Sequence, residues 1–150
     1  MIVNKKIYPL KIIINAGKKY IFDNIRKKKV KLTPEEIVRQ KFIKLLVENK
    51  NYSVNLIGVE QKLPAKDNFF RTDIVIYNRN AKPLMIIECK AENVKITQKT
   101  FEQIAKYNMI FNVEYLVVTN GIKNYICKLD YLNKTYSFLK EVPSFQDLIK

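Results

Sequence analysis

Histidine is absent from the 150 residues of the chain. That removes an imidazole general base, a Ser-His-Asp triad and any imidazole metal ligand. Cysteine is scarce: Cys89 and Cys127 stand far apart, form no CxxC, and cannot complete a four-ligand zinc site. Cys89 falls in an apolar strand, where a reduced core thiol is expected, and this points to a cytoplasmic protein. Only three Gly and five Pro interrupt the chain, so most of it is expected in regular elements. No apolar run approaches a membrane span. The start, Met1-Ile2-Val3-Asn4-Lys5-Lys6, is broken by Pro9 and Lys11 before a signal-peptide core can form. No membrane association is expected.

Acidic residues are the other shortage. Lys and Arg number 28 against 14 Asp and Glu, a net charge of +14. Such a balance favours a polyanionic partner, nucleic acid before an anionic membrane surface. Nearly all of the positive charge is lysine, so the base composition of an AT-rich genome explains the same excess equally simply.

What is present suits one α/β domain, with 47% hydrophobic residues over a length that can close a core on a sheet. Residues 7–14 and 19–22 read as an N-terminal hairpin around Asn15-Ala16-Gly17. A basic stretch, Arg26 to Lys31, follows. Thr33-Pro34-Glu35-Glu36 then opens a helix, with Thr33 as N-cap, Pro34 at N1 and Glu36 completing a capping box. That helix is expected to reach about Glu48 with Val38, Phe42, Leu45 and Leu46 on one stripe. Glu35 falls within the stripe and Glu36 roughly opposite it, so Glu35 is the carboxylate expected to face inward.

Strands are predicted at about 54–60, 73–77 and 84–90. A helix over 98–111 carries Phe101, Ile104, Ala105 and Asn108 inward, and strands follow at 115–119 and 124–129. The order is helix, three strands, helix, strand, with the hairpin before and one strand after. Residues 1–31 are thus an extension, 32–129 the core, and 130–150 a tail ending in a short helix near Phe145–Ile149.

The turn Asn78-Arg79-Asn80-Ala81-Lys82-Pro83 joins the second and third strands. If it is symmetric about Asn80-Ala81, position 77 pairs with 84, 75 with 86, and 73 with 88. Opposed residues share a face, so the Cβ atoms of Asp73 and Glu88 would lie about 5 Å apart. Lys90 is two residues beyond Glu88, on the same face. Two carboxylates so placed raise one another's pKa unless a cation compensates them. Mg²⁺ suits such a site because it takes one or two carboxylates and keeps waters for a phosphate. A buried structural charge cluster explains the same three residues without chemistry.

Asp73 followed by Glu88-Cys89-Lys90, in this order of elements, resembles the PD-(D/E)xK nuclease superfamily. More narrowly, the chain is similar to the N-terminal nuclease domain of type I restriction enzyme R subunits. The matching runs are Ile21-Phe22-Asp23-Asn24-Ile25-Arg26-Lys27-Lys28, Thr33-Pro34-Glu35-Glu36-Ile37-Val38-Arg39-Gln40, Arg71-Thr72-Asp73-Ile74-Val75, Glu88-Cys89-Lys90-Ala91, Gln103-Ile104-Ala105-Lys106-Tyr107-Asn108 and Val118-Thr119-Asn120-Gly121.

The resemblance implies a restriction-endonuclease-like mixed central sheet flanked by helices, and a Mg²⁺-dependent deoxyribonuclease, an endonuclease, with Mn²⁺ as substitute. It implies that Asp73, Glu88 and the Cys89 carbonyl hold the metal, that Lys90 serves the attacking water, and that Glu35 supports the metal through water. Gln103 and Tyr107 match a QxxxY motif and, with Arg71, would bind DNA. Thr72 stands where the superfamily has Pro. R subunits continue into an ATP-driven motor, and no Gly-x-x-x-x-Gly-Lys-[Ser/Thr] run occurs here, so a motor or specificity protein is expected in trans. The alternative is a catalytically silent nucleic-acid-binding module of the same fold.

Overall fold

Thr33 stops one structure and starts another. In the computed structural model, which describes residues 6–65 and 68–150 and the side chains of these other than 65, 68–69 and 107–110, its hydroxyl caps a helix by accepting from Glu36 N–H at 3.1 Å. This helix, α1 (Pro34–Asn49), begins on Pro34, whose missing N–H costs nothing at N1. The Glu36 side chain does not return the cap as a capping box would. Its carboxylate is taken by Arg26 and Arg39 instead.

Before α1, three short strands, β1 (Ile12–Asn15), β2 (Lys18–Asp23) and β3 (Lys28–Lys31), form an antiparallel sheet in sequence order. The expected hairpin is therefore three-stranded. The lysine run at 28–31 gives no apolar alternation, which is why it did not read as a strand. After α1, a 3₁₀ turn at 54–56 leads to β4 (Ile57–Ala65), β5 (Asn68–Tyr77) and β6 (Pro83–Cys89). Helix α2 (Gln98–Phe111), strand β7 (Tyr115–Thr119) and strand β8 (Asn124–Asp130) follow. Residues 130–150, read from sequence as a tail, supply β9 (Thr135–Leu139) and a short helix, α3 (Phe145–Leu148).

The six strands β4 to β9 form one sheet in sequence order. Only β6 and β7 run parallel, because α2 carries the chain back between them. On one face, α1 packs over Ile74, Ile76, Ile87, Cys89 and Val117. On the other, Phe101 and Ile96 cover Leu116, Val118 and Cys127. Central strands covered on both faces need unbroken apolar runs, and all five residues of β7 are buried. Each fully buried isoleucine, such as Ile74, Ile76 or Ile87, contributes roughly 1.5–3 kcal/mol. The C-terminal segment docks through Tyr52, whose hydroxyl donates to Pro143 O at 2.9 Å and whose ring meets Phe145 edge-on. No helix among the described residues is long and apolar enough to cross a membrane.

Candidate active site

Strand register sets the site. Val75 pairs with Ile86 as the turn symmetry requires, while a bulge at Ile76/Tyr77 sets Tyr77 opposite Pro83 instead of Leu84. The bulge lies at the turn end, so the register towards the other end is untouched. The ladder closes with Ile74 opposite Ile87, and the next positions along are Asp73 and Glu88. On the other side, Val59 pairs with Ile74 and Gln61 with Thr72, which sets Glu60 level with Asp73. Three carboxylates thus stand in one row across β4, β5 and β6.

Both ladders open at that row. Glu60 adopts a left-handed backbone, φ 52°, unusual for a residue with a long side chain. The Cys89 N–H leaves the β5 ladder and donates to Asp73 Oδ2 at 2.8 Å. The other carboxylate oxygen, Oδ1, accepts from Arg39 Nη2 at 2.9 Å. Beyond the row, Lys90 N–H bonds Thr119 O at 2.8 Å, tying the exit of β6 to the turn after β7. That turn is shaped by Asn120, whose side-chain oxygen accepts from Ile122 and Lys123 N–H, and by Gly121 at φ 88°. Thr119, within the run Val118-Thr119-Asn120-Gly121, therefore anchors the backbone of Lys90.

Helix α1 lays two buried basic and acidic groups against the row. Arg39 Nη1 binds both Glu36 oxygens, at 2.9 and 3.1 Å, while its Nη2 spans Asp73 and, at 3.4 Å, Glu60. From the N-terminal sheet, Arg26 reaches Glu36 at 2.6 Å and Glu60 at 3.0 Å. Asp23, fully buried, accepts from Arg26 Nε, from Gln40 Nε2 and from two backbone N–H groups of its own turn. Arg39 Nε is buried without a partner. Buried charges persist only when paired, and here nearly every one is paired across three elements.

The exception is Glu88. Burial, then the neighbouring charge of Asp73, pushes its carboxyl up to about 9, and Lys90 and Arg39 only partly offset this. Burial opposes the charge of Arg39, yet the Glu36 and Asp73 carboxylates outweigh it and hold the guanidinium protonated. Burial also pushes the Cys89 thiol up, so it stays an inert core group.

The structure brings Asp73, Glu88 and Lys90 together, as the turn symmetry predicts. It corrects the phase of α1: Glu35 is exposed and Glu36 is buried. The expected stripe omitted Ile43 and Val47, which line one face with Glu36 and Gln40 at helical spacing. Glu36 rather than Glu35 reaches Asp73, through Arg39. The Cys89 side chain packs in the core under α1 while its backbone lies beside Asp73. Arg71 stands exposed at the rim, 3.7 Å from Glu60. Gln103 is exposed on α2, and no described hydrogen bond joins it to the row. The side chains of Tyr107 and Asn108 lie outside the described residues. Glu60, Arg39, Arg26, Gln40 and Asp23 went unremarked as site residues. Pairing the strand at 54–60 with that at 73–77 would have found Glu60.

The described residues include no group of three His, Cys, Asp or Glu side chains that could hold a metal ion. Two carboxylates and a backbone carbonyl fit Mg²⁺ nonetheless, since it takes few protein ligands and prefers hard oxygen. Asp73 accepts from Arg39 and from Cys89 N–H and shares a hydrogen bond with Glu88. Lys90 and Arg39 compensate Glu88 only in part, which leaves a charge deficit that a divalent cation would fill.

A mixed sheet with Asp73 and Glu88-Cys89-Lys90 on adjoining strands is consistent with the PD-(D/E)xK superfamily. The chain belongs to the family described as type I restriction enzyme R protein N terminus, whose model matches residues 34–143. It is similar to the solved fragment of a putative HsdR subunit of a type I restriction enzyme from Vibrio vulnificus YJ016. The TM-score is 0.55 at 20% identity, over 79% of this chain and 25% of that one. That likeness concerns the fold, and the chain spans about a quarter of that chain's length. No curated protein sequence matches.

Proposed function

We propose that this domain hydrolyses phosphodiester bonds in DNA with Mg²⁺, as the nuclease part of a restriction system whose motor and specificity functions lie elsewhere. The observation that carries the reading is the convergence of Asp73, Glu88 and Lys90 where two strand ladders open, with Glu88 only partly compensated by Lys90 and Arg39. Asp73, Glu88 and the Cys89 carbonyl would hold Mg²⁺. Such an ion would supply polarisation of a phosphoryl oxygen and a water of lowered pKa. Lys90 would orient the attacking water and stabilise charge developing on the phosphate. Glu36 and Arg39 position Asp73, Arg71 meets DNA at the rim, and Gln103 meets it from the exposed side of α2.

A second reading has one specific support. Arg39 already pairs with Asp73, which suits a DNA-binding module without chemistry. Purified protein with Mg²⁺ or Mn²⁺ on linear and circular DNA separates the two. Wild type is expected to cut both. Lys90→Ala is expected to stop cutting while calorimetry still detects metal, and Asp73→Ala to lose both. Wild type that neither cuts nor binds metal at millimolar concentration establishes the second reading.

A further inference from the structure

Residues 1–31 carry nine Lys and one Arg against a single Asp, a net +9 of the chain's +14. This segment precedes the part matched by the family model, which begins at residue 34. Its charge is not spread evenly over the sheet it forms.

The register sorts the side chains. Tyr20 pairs with Ile13 and Lys31, Phe22 pairs with Lys29, and Lys18 pairs with Asn15. Phe22 N–H also bonds Lys11 O at 2.9 Å, which brings Lys11 level with Phe22. Paired residues share a face, so one face carries Lys11, Lys18, Lys29 and Lys31 around Tyr20 and Phe22. All four lysines are exposed and the two rings are half-buried among them. The opposite face carries Ile21 and Asp23, both fully buried, and two exposed lysines, Lys19 and Lys28, against four on the first. The segment's one carboxylate is therefore turned inward, and no acidic residue stands among the four lysines.

The same strand is fastened to the row of carboxylates. Asp23, the last residue of β2, binds Arg26 and Gln40, and Arg26 binds Glu36 and Glu60. A basic face is thus held rigidly beside the site, not on a loose arm. Its longest strand, β2, extends roughly 20 Å, about six base-pair steps of duplex.

We propose that this outer face of β1–β3 docks the phosphate backbone of duplex DNA and leads it towards the row of Asp73 and Glu88, an assignment that rests on the nuclease reading for its direction. Duplex fits better than single strand because Lys29 Nζ lies over the Tyr20 ring at 4.5 Å, taking a face that a base would stack on. Unpaired like charges on a fixed sheet repel one another, and a polyphosphate backbone relieves that repulsion with release of its counterions.

Two full-length variants test it at equal charge. One replaces Lys11, Lys18, Lys29 and Lys31 by Gln; the other replaces Lys99, Lys123, Lys134 and Lys140, all exposed on the rest of the chain. Affinity for a 30-bp duplex and for its single strand is measured in EDTA across a salt series. The first variant is expected to lose at least about 30-fold in duplex affinity at 100 mM salt, with the salt slope falling by about 3. The second is expected to lose under about threefold, and both to melt within a few degrees of wild type. Equal losses in the two variants, or a loss confined to single strands, overturn the proposal. Because the readout is metal-free binding, a wild type that cuts nothing removes the nuclease reading and leaves this result to stand or fall alone.

Discussion

A carboxyl pushed up to about 9 is ionised in the unfolded chain at neutral pH and neutral in the folded one. Folding at pH 7 must therefore take up a proton at Glu88. The sign follows from linkage: Glu88's contribution is fully present below its unfolded value, near pH 4.5, and is lost as pH rises towards 9. The slope is at most about 1.4 kcal/mol per pH unit. Glu88→Gln keeps the shape of the neutral acid and cannot ionise. In EDTA, the urea midpoint of wild type is expected to fall relative to the variant between pH 5 and 9, and to converge with it near pH 4. Adding Mg²⁺ at pH 8 should narrow the gap for wild type only, since ligand bound to the folded state adds stability. Parallel midpoints across that pH range would show that burial and Asp73 do not hold Glu88 neutral.

Helix α1 shows how far an element can be read from its letters. Its start was legible because Thr33 and Pro34 carry capping chemistry that acts locally. Its phase was not, because a stripe drawn through apolar residues alone misses a face buried by paired charges. Arg39, Gln40 and Glu36 are buried because Asp23, Arg26, Glu60 and Asp73 arrive from three other elements. The site follows the same division. Asp73 and Glu88 were legible through a local turn that sets their register, whereas Glu60 depends on the pairing of β4 with β5, strands that run well past the 54–60 and 73–77 read from sequence, so no turn was there to set a register. The helix phase gives a direct comparison. Glu36→Ala strips a buried partner from two arginines, and breaking such a pair costs about 3–5 kcal/mol, or roughly 10 °C in Tm for a domain of this size. Glu35→Ala removes an exposed group and is expected to change stability by about 0.5 kcal/mol or less. Thermal melts of the two variants decide it, and equal losses would return α1 to the phase drawn from its apolar stripe.

At the scale of the whole molecule, charge and helix placement together say how DNA would be held. Half of α1's sixteen residues are buried, Val38, Phe42, Ile43, Leu46 and Val47 among them, so that helix cannot enter a major groove. Helix α2 is spent on closing the opposite face of the sheet, with Phe101 in the core. Helix α3 is one turn of four residues. Base-edge readout has no evident carrier, whereas a net +14 offers phosphate contacts in abundance. Two 30-bp duplexes of unrelated sequence are therefore expected to bind with affinities within about threefold of each other. Four phosphate contacts alone give a salt slope of about 3.6, a loss on the order of 100-fold between 50 and 200 mM salt. The two measurements fail in different ways. A strong preference between the duplexes would mean that some element reads base edges despite its burial. A flat salt response would mean that the lysines are not at the phosphates at all, and would return their excess to the base composition of the gene.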